Sequence, residues 1–88
     1  MKKIVAVIEL GTLLQTVSYV NDGEIVASLE IPVDNVPETI AYYAHEYKVN
    51  DILIFGDIAY IEKVKEYTIS KSLQEYGKSN LIIELKEI

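Results

Sequence analysis

Apolar positions along this chain change their period as it proceeds, and each change marks an element. Ile4-Val-Ala-Val-Ile8 is apolar at every position. A strand without alternation is expected to be covered on both faces, which places it in the middle of a sheet. Gly11 breaks the run. Residues 12–20 follow with the strand-favouring Thr12, Thr16, Val17, Tyr19 and Val20. Asn21-Asp22-Gly23 signals a hairpin, because these residue types tolerate positive φ. Residues 24–31 then alternate, with Ile25, Ala27, Leu29 and Ile31 pointing one way and Glu24, Ser28 and Glu30 the other. Three antiparallel strands are expected in succession.

Pro32 ends the third strand, and the pattern switches to helical spacing. Asn35-Val-Pro-Glu38 reads as a helix start, with a capping Asn, Pro in the first turn and Glu three residues after the cap. The helix is predicted to run to about Lys48, with Val36, Ile40, Tyr43, Ala44 and Tyr47 as its core stripe. Ile52-Leu-Ile-Phe55 is again apolar throughout and is expected to be a second central strand. Gly56 ends it and Asp57 is placed to cap a helix over Ile58–Tyr76, which Gly77 stops. The Thr68-Ile69-Ser70 segment, poor in helix formers, is expected to bend or fray it. Leu81–Leu85 is the last strand. The fold class is therefore α/β, a single domain over 1–88 with element order β-β-β-α-β-α-β. Right-handed crossovers make the first, fourth and fifth strands parallel in a five-stranded mixed sheet with helices covering it.

Composition narrows the function classes. There are 14 acidic and 8 basic residues, a net charge of −6, and every basic residue is a lysine. Arginine, the residue best shaped for phosphate and base edges, is absent, so nucleic-acid binding is disfavoured. With no cysteine there is neither a disulfide nor a thiolate metal site. No apolar run approaches the roughly 20 residues needed to cross a bilayer, and Ile4–Ile8 is too short for a secretory signal. These features lead to the expectation of a cytoplasmic protein away from membranes.

The element order resembles the ribonuclease-H-like core shared by ribonuclease H, resolvases, retroviral integrases and the actin-like ATPases. The motif that carries the resemblance is Ile8-Glu9-Leu10-Gly11-Thr12. In the actin-like branch the matching turn reads Asp-Leu-Gly-Thr. The resemblance implies an acidic residue working around magnesium, here Glu9, and a turn, here Gly11 and Thr12, whose amides approach phosphate. In the nuclease branch a second carboxylate assists near the end of the fourth strand, where this chain has Asp57. Glu replaces the usual Asp, and Leu13-Leu14 stands where relatives keep small or polar residues. Parallel first and fourth strands would bring Glu9 and Asp57 to one sheet edge, where open α/β sheets bind ligands. Read without the resemblance, Glu9 is a polar strand end, Asp57 a helix cap, and Gly11 and Gly56 are turn residues with unusual backbone angles.

Tyrosine is the remaining signal: seven, against one Phe and no Trp. On the second helix Ile58, Ile61, Thr68, Ser72 and Tyr76 form the expected core arc, while Tyr60, Val64 and Tyr67 form a second stripe about 100° away. Tyr42 points away from the stripe of the first helix, and so does His45, which is expected to be solvated, with no acidic partner identified. A surface helix needs one stripe, and tyrosine is enriched at interfaces. The binding candidates are therefore Tyr60, Val64, Tyr67 and Tyr42. The first expectation is a non-catalytic protein-binding or self-associating module on a truncated ribonuclease-H-like fold, with no cofactor. The alternative is a divalent-metal-dependent nuclease or phosphate-ester-handling enzyme using Glu9 and Asp57 with magnesium.

Overall fold

Ile4 and Ile52 pair side by side and run in the same direction, as do the residues after them through Val7 and Phe55. The computed structural model describes residues 1–9 and 11–88. Its strands are β1 (Lys2–Val7), β2 (Leu14–Asn21), β3 (Glu24–Pro32), β4 (Asp51–Gly56) and β5 (Ile82–Glu87). Its helices are α1 (Val36–Glu46) and α2 (Ile58–Tyr76), and a single 3-10 turn, Val33–Asn35, leads into α1. The sheet order is β3-β2-β1-β4-β5. The β1/β2 and β2/β3 pairs are antiparallel, and the β1/β4 and β4/β5 pairs are parallel. This is the ribonuclease-H-like topology that the element order predicts.

Asp22 (φ 53) and Gly23 (φ 82) form the two-residue loop between β2 and β3. Positive φ at both positions gives a loop whose twist matches that of the flanking strands. At the other end of the molecule Gly77 (φ 63) closes α2 and donates its N–H to the Leu73 carbonyl.

Central strands were expected to be covered on both faces, and they are covered on one. Ile4, Ala6, Ile8, Val17, Tyr19, Ile31, Ile52 and Ile54 point toward the helices and join Val36, Ile40, Ala44, Ile61 and Val64 in one core. Full burial of each large aliphatic side chain here is worth about 1.5–3 kcal/mol. Val5, Val7, Leu53 and Phe55, on the opposite face, are only half-buried. The reason is topological. The β3-α1-β4 and β4-α2-β5 crossovers both advance the same way across the sheet, and two right-handed crossovers of that kind put both helices on the same side.

Three local expectations need correction. The pairing passes from Tyr19–Ala27 to Val20–Ile25, so Val26 is an extra residue in β3. This bulge turns Ile25 off the face that Ala27 and Ile31 share, and Ile25 is 67% exposed. Asn35 occupies the cap position of α1, but its side chain makes no capping hydrogen bond, because the chain enters through the preceding 3-10 turn rather than from an extended segment. The helix α2 is unbroken through Thr68-Ile69-Ser70. There the Thr68 hydroxyl donates to the Val64 carbonyl at 2.7 Å, and Ser72 donates to the Lys78 carbonyl at 2.9 Å. Their hydroxyls are thereby satisfied within fully buried positions.

Candidate functional site

The carboxyl ends of β1, β4 and β5 meet at one edge of the sheet. The Ile8 N–H donates to the Phe55 carbonyl at 2.9 Å, extending the parallel pairing by one residue and delivering Glu9 to that edge. The next strand ends at Gly56, whose φ is not positive. Gly56 is required there for close approach rather than for an unusual angle. A Cβ on it would lie 2.7 Å from the Ile8 carbonyl oxygen and 2.6 Å from Ile61 Cγ2. Asp57 follows, and its carboxylate accepts the Tyr60 N–H at 3.3 Å as the cap of α2.

Glu9 and Asp57 thus reach the same place, as the parallel pairing requires. Together with Ile8, Glu87 and Ile88 they line an open depression of about 490 Å³. Proximity does not make them a metal centre. Among the described residues no group of three or more His, Asp or Glu side chains converges to hold an ion. Asp57 also spends part of its carboxylate on the helix cap. Magnesium demands near-octahedral oxygen ligation, and this donor set does not fit it.

The turn after Glu9 is organised by a residue that the sequence pattern concealed. Gln15 is 2% exposed, at the start of β2. Its side-chain carbonyl accepts the Glu9 N–H at 2.6 Å, and its amide donates to the Glu9 carbonyl at 3.1 Å. One side-chain amide thus pairs with both backbone groups of Glu9, in the way a neighbouring strand would. The Gln15 amide also donates to the Thr12 hydroxyl at 2.7 Å, and that hydroxyl donates to the Glu9 carbonyl at 2.9 Å. Thr12 is therefore engaged inside the turn. Gly11 (φ 84) supplies the left-handed step, with nothing within 4 Å of where its Cβ would be. Leu10, the middle residue of the Ile8–Thr12 motif, lies outside the described residues. The available signal for Gln15 was a lone amide two residues before the buried Val17, on what is the helix-covered face.

The tyrosine stripe resolves differently from its prediction. Val64 is buried in the core rather than displayed. Because α1 and α2 share one face of the sheet, α2 packs against both the strands and its neighbour, and so it needs two apolar sides. Tyr60, Val64 and Tyr67 do come together, with Val33, Pro37, Asp34 and Lys63, around a cleft of about 230 Å³ where the entry to α1 meets α2. Tyr67 is 63% exposed. Burial raises the phenol pKa of Tyr60, and the nearby Asp34 carboxylate adds to it. Tyr42 is exposed and does not line the cleft; its ring lies 6.2 Å from Tyr43.

Elsewhere the aromatic residues tie helices to strands. Tyr47 stacks on Tyr19 of β2 with centroids 4.1 Å apart, and Tyr43 meets Tyr47 edge-on at 5.6 Å. Both Tyr43 and Tyr47 pack against the core, as expected. Two readings of the helices are corrected. Ile58, at the outermost turn of α2, is exposed rather than in the core arc. Tyr76, also expected in the core arc, instead stacks on the ring of His45 at 4.3 Å and joins the two helix ends; His45 is exposed, as expected.

Among the described residues no helix is long and apolar enough to cross a membrane. No protein-family model matches the chain, and no curated protein matches it significantly. Among solved structures it is similar to a crystal structure of the Aquifex aeolicus member of the Ppx/GppA protein family, at 17% identity and a TM-score of 0.46. That match covers 99% of this chain and 35% of the other, so the chain spans about a third of that protein's length. At this distance the relationship is one of coarse fold.

Proposed function

We propose that this chain is a non-catalytic protein-binding or self-associating module on a ribonuclease-H-like fold, and that the cleft between the entry to α1 and α2 receives an apolar side chain of a partner. The observation that supports this reading is the convergence of Tyr60, Val64 and Tyr67 with Val33 and Pro37 around one concave, mainly apolar surface flanked by Asp34 and Lys63. Rigid aromatic walls with a charged rim are the usual anatomy of a binding hot spot. The test is photo-crosslinking in the native host from a benzophenone side chain placed at Tyr67. A discrete adduct is expected there, lost on Tyr60→Lys and absent when the probe sits at Tyr42. Equal labelling from both positions would remove the proposal.

A second reading, a divalent-metal-dependent nuclease or phosphate-ester-handling enzyme of the actin-like or nuclease kind, is favoured by one observation: Glu9, Asp57 and Glu87 share a depression at the carboxyl edge. Since the donor set does not converge, no catalytic step is assigned to it. Melting curves with and without magnesium or manganese, on wild type and Glu9→Gln, separate the two readings. The binding-module reading expects no metal-dependent shift in either protein. A stabilisation of several degrees that vanishes in Glu9→Gln would reverse the preference.

A further inference from the structure

The bare face of the sheet carries a pattern that the cleft does not explain. Parallel strands are found almost only with both faces covered, yet among the described residues no helix lies on the outer side of the β1-β4-β5 half. The strand registers fix which residues stand in line across that face. One row reads Glu30–Thr16–Val7–Phe55–Lys86, from β3 to β5. It is apolar in the middle, acidic at one end and basic at the other. The next row reads Ser28–Ser18–Val5–Leu53–Glu84. The third row, continuing the same registers, reads Ile25–Val20–Lys3–Asp51–Ile82: charged in the middle, with Ile25 and Ile82 at its ends 67% and 65% exposed.

We infer that this face is closed by a second copy of the chain, the two sheets packing face to face about a two-fold axis parallel to the strands and centred over β1. Such an axis lays β3 over the partner's β5, β2 over the partner's β4, and β1 over the partner's β1. Glu30 then meets the partner's Lys86, and Lys86 meets the partner's Glu30. Ile25 meets the partner's Ile82, and Ser28 meets the partner's Glu84 as a hydroxyl donor. Val5 and Val7 meet their own counterparts on the axis, and Lys3 meets the partner's Lys3 with the Asp51 of each copy one strand away. The Glu30–Lys86 row, whose two ends are opposite in sign, and the apolar corners are complementary to themselves under this one operation, as an isologous interface requires; the two Lys3 on the axis are offset by the two Asp51 beside them, and Lys86 also has Glu84 of its own strand at 3.9 Å. Strand directions are preserved, so the sheets pack in the aligned manner with the modest rotation that twist imposes. The molecule measures 31 × 29 × 20 Å, and its broad face is of the size that stable interfaces bury on each partner, roughly 800 Å². The inference stands independently of the tyrosine cleft, which lies on the other side of the sheet.

Sedimentation equilibrium of the full chain tests it. The expected species is a concentration-dependent dimer of twice the 10.0 kDa chain. Glu30→Lys and Lys86→Glu should each weaken it about tenfold, because each exposed pair is worth a few-fold and the two-fold axis uses it twice. The double swap, Glu30→Lys with Lys86→Glu, should return the affinity toward wild type. Phe55→Lys should give monomer, and Tyr60→Lys with Tyr67→Lys should leave the dimer intact. Should Phe55→Lys fail to fold, the surface swaps decide alone. A wild-type monomer at every concentration up to roughly 1 mM, where specific association is already weak, overturns the inference. So does failure of the double swap to restore what the single swaps lose, or loss of the dimer in the cleft variant.

Discussion

Replacing Gln15 by Leu removes an amide from a fully enclosed position while nearly conserving its volume. In the native turn the Gln15 carbonyl is the partner of the Glu9 N–H, and the Gln15 amide serves both the Glu9 carbonyl and the Thr12 hydroxyl. After the substitution the Glu9 carbonyl keeps the Thr12 hydroxyl as a donor, whereas the Glu9 N–H has nothing. The Glu9 N–H bond is only part-buried, so leaving that donor without Gln15 costs toward the low end of about 1–3 kcal/mol, and the lost amide donation adds about 1 kcal/mol. Burying a more apolar side chain offsets about 1 kcal/mol of this. The net expectation is a destabilisation of about 1–2 kcal/mol, a fall in Tm of about 5–15 °C for a domain this small. Urea unfolding followed by far-ultraviolet circular dichroism measures it, and the m-value should not change. Gln15→Glu sharpens the test. A carboxylate can accept the Glu9 N–H but cannot donate to the Glu9 carbonyl, whereas a protonated carboxyl can do both. The folded state would therefore raise the pKa of that group. The variant should gain stability relative to wild type as pH falls through the raised value, and lose it again above. A Gln15→Leu protein within about 0.5 kcal/mol of wild type, the range of an inert surface change, would refute the account of the turn.

Two further outcomes follow from the geometry. Gly56→Ala should cost about 1–3 kcal/mol or more, because its methyl would press on the Ile8 backbone carbonyl, which cannot step aside; Gly11→Ala, with open space but φ 84, should cost only about 1 kcal/mol, and the reverse ranking in denaturant midpoints would contradict both assignments. Tyr43 and Tyr60 are held above the ordinary phenol range, Tyr43 by burial and then by Tyr47 and Tyr42, Tyr60 by burial and then by Asp34. Because the fold favours their neutral forms, the stability they contribute is complete below about pH 10 and is lost as pH rises through the raised values. Absorbance titration near 295 nm should show phenols ionising late, and Asp34→Asn should remove only the smaller part of the Tyr60 shift; full reversion would show the causes to be ranked wrongly.

Periodicity made the fold legible because its signals are local. Asp22-Gly23, Asp57 and Gly77 act through their own backbone angles or hydrogen bonds, and each does what its residue type dictates. The parallel pairing of β1 with β4 followed from crossover handedness, and with it the meeting of Glu9 and Asp57 at one edge. Periodicity failed where an answer depended on elements distant in sequence. An apolar strand reads the same whether its second face is covered by a helix or left bare, so Val5, Val7, Leu53 and Phe55 misled. The bulge at Val26 is invisible in an alternating run because it is set by pairing with β2. The extra stripe on α2 was real, but its first cause is the neighbouring helix. Gln15 escaped notice because an amide that replaces a strand partner has no spacing rule.

The bulge at Val26 bears on whether the free edge of β3 can template further strands. The outer rim of β3 offers backbone groups that any extended chain could adopt as a template, and growth along that rim would lead to filaments. An added residue partway along breaks the even spacing such growth needs, Pro32 removes a donor at one end, and Glu24 sits at the other. Deleting Val26 would restore a regular rim, and the expected penalty is fibre formation rather than unfolding.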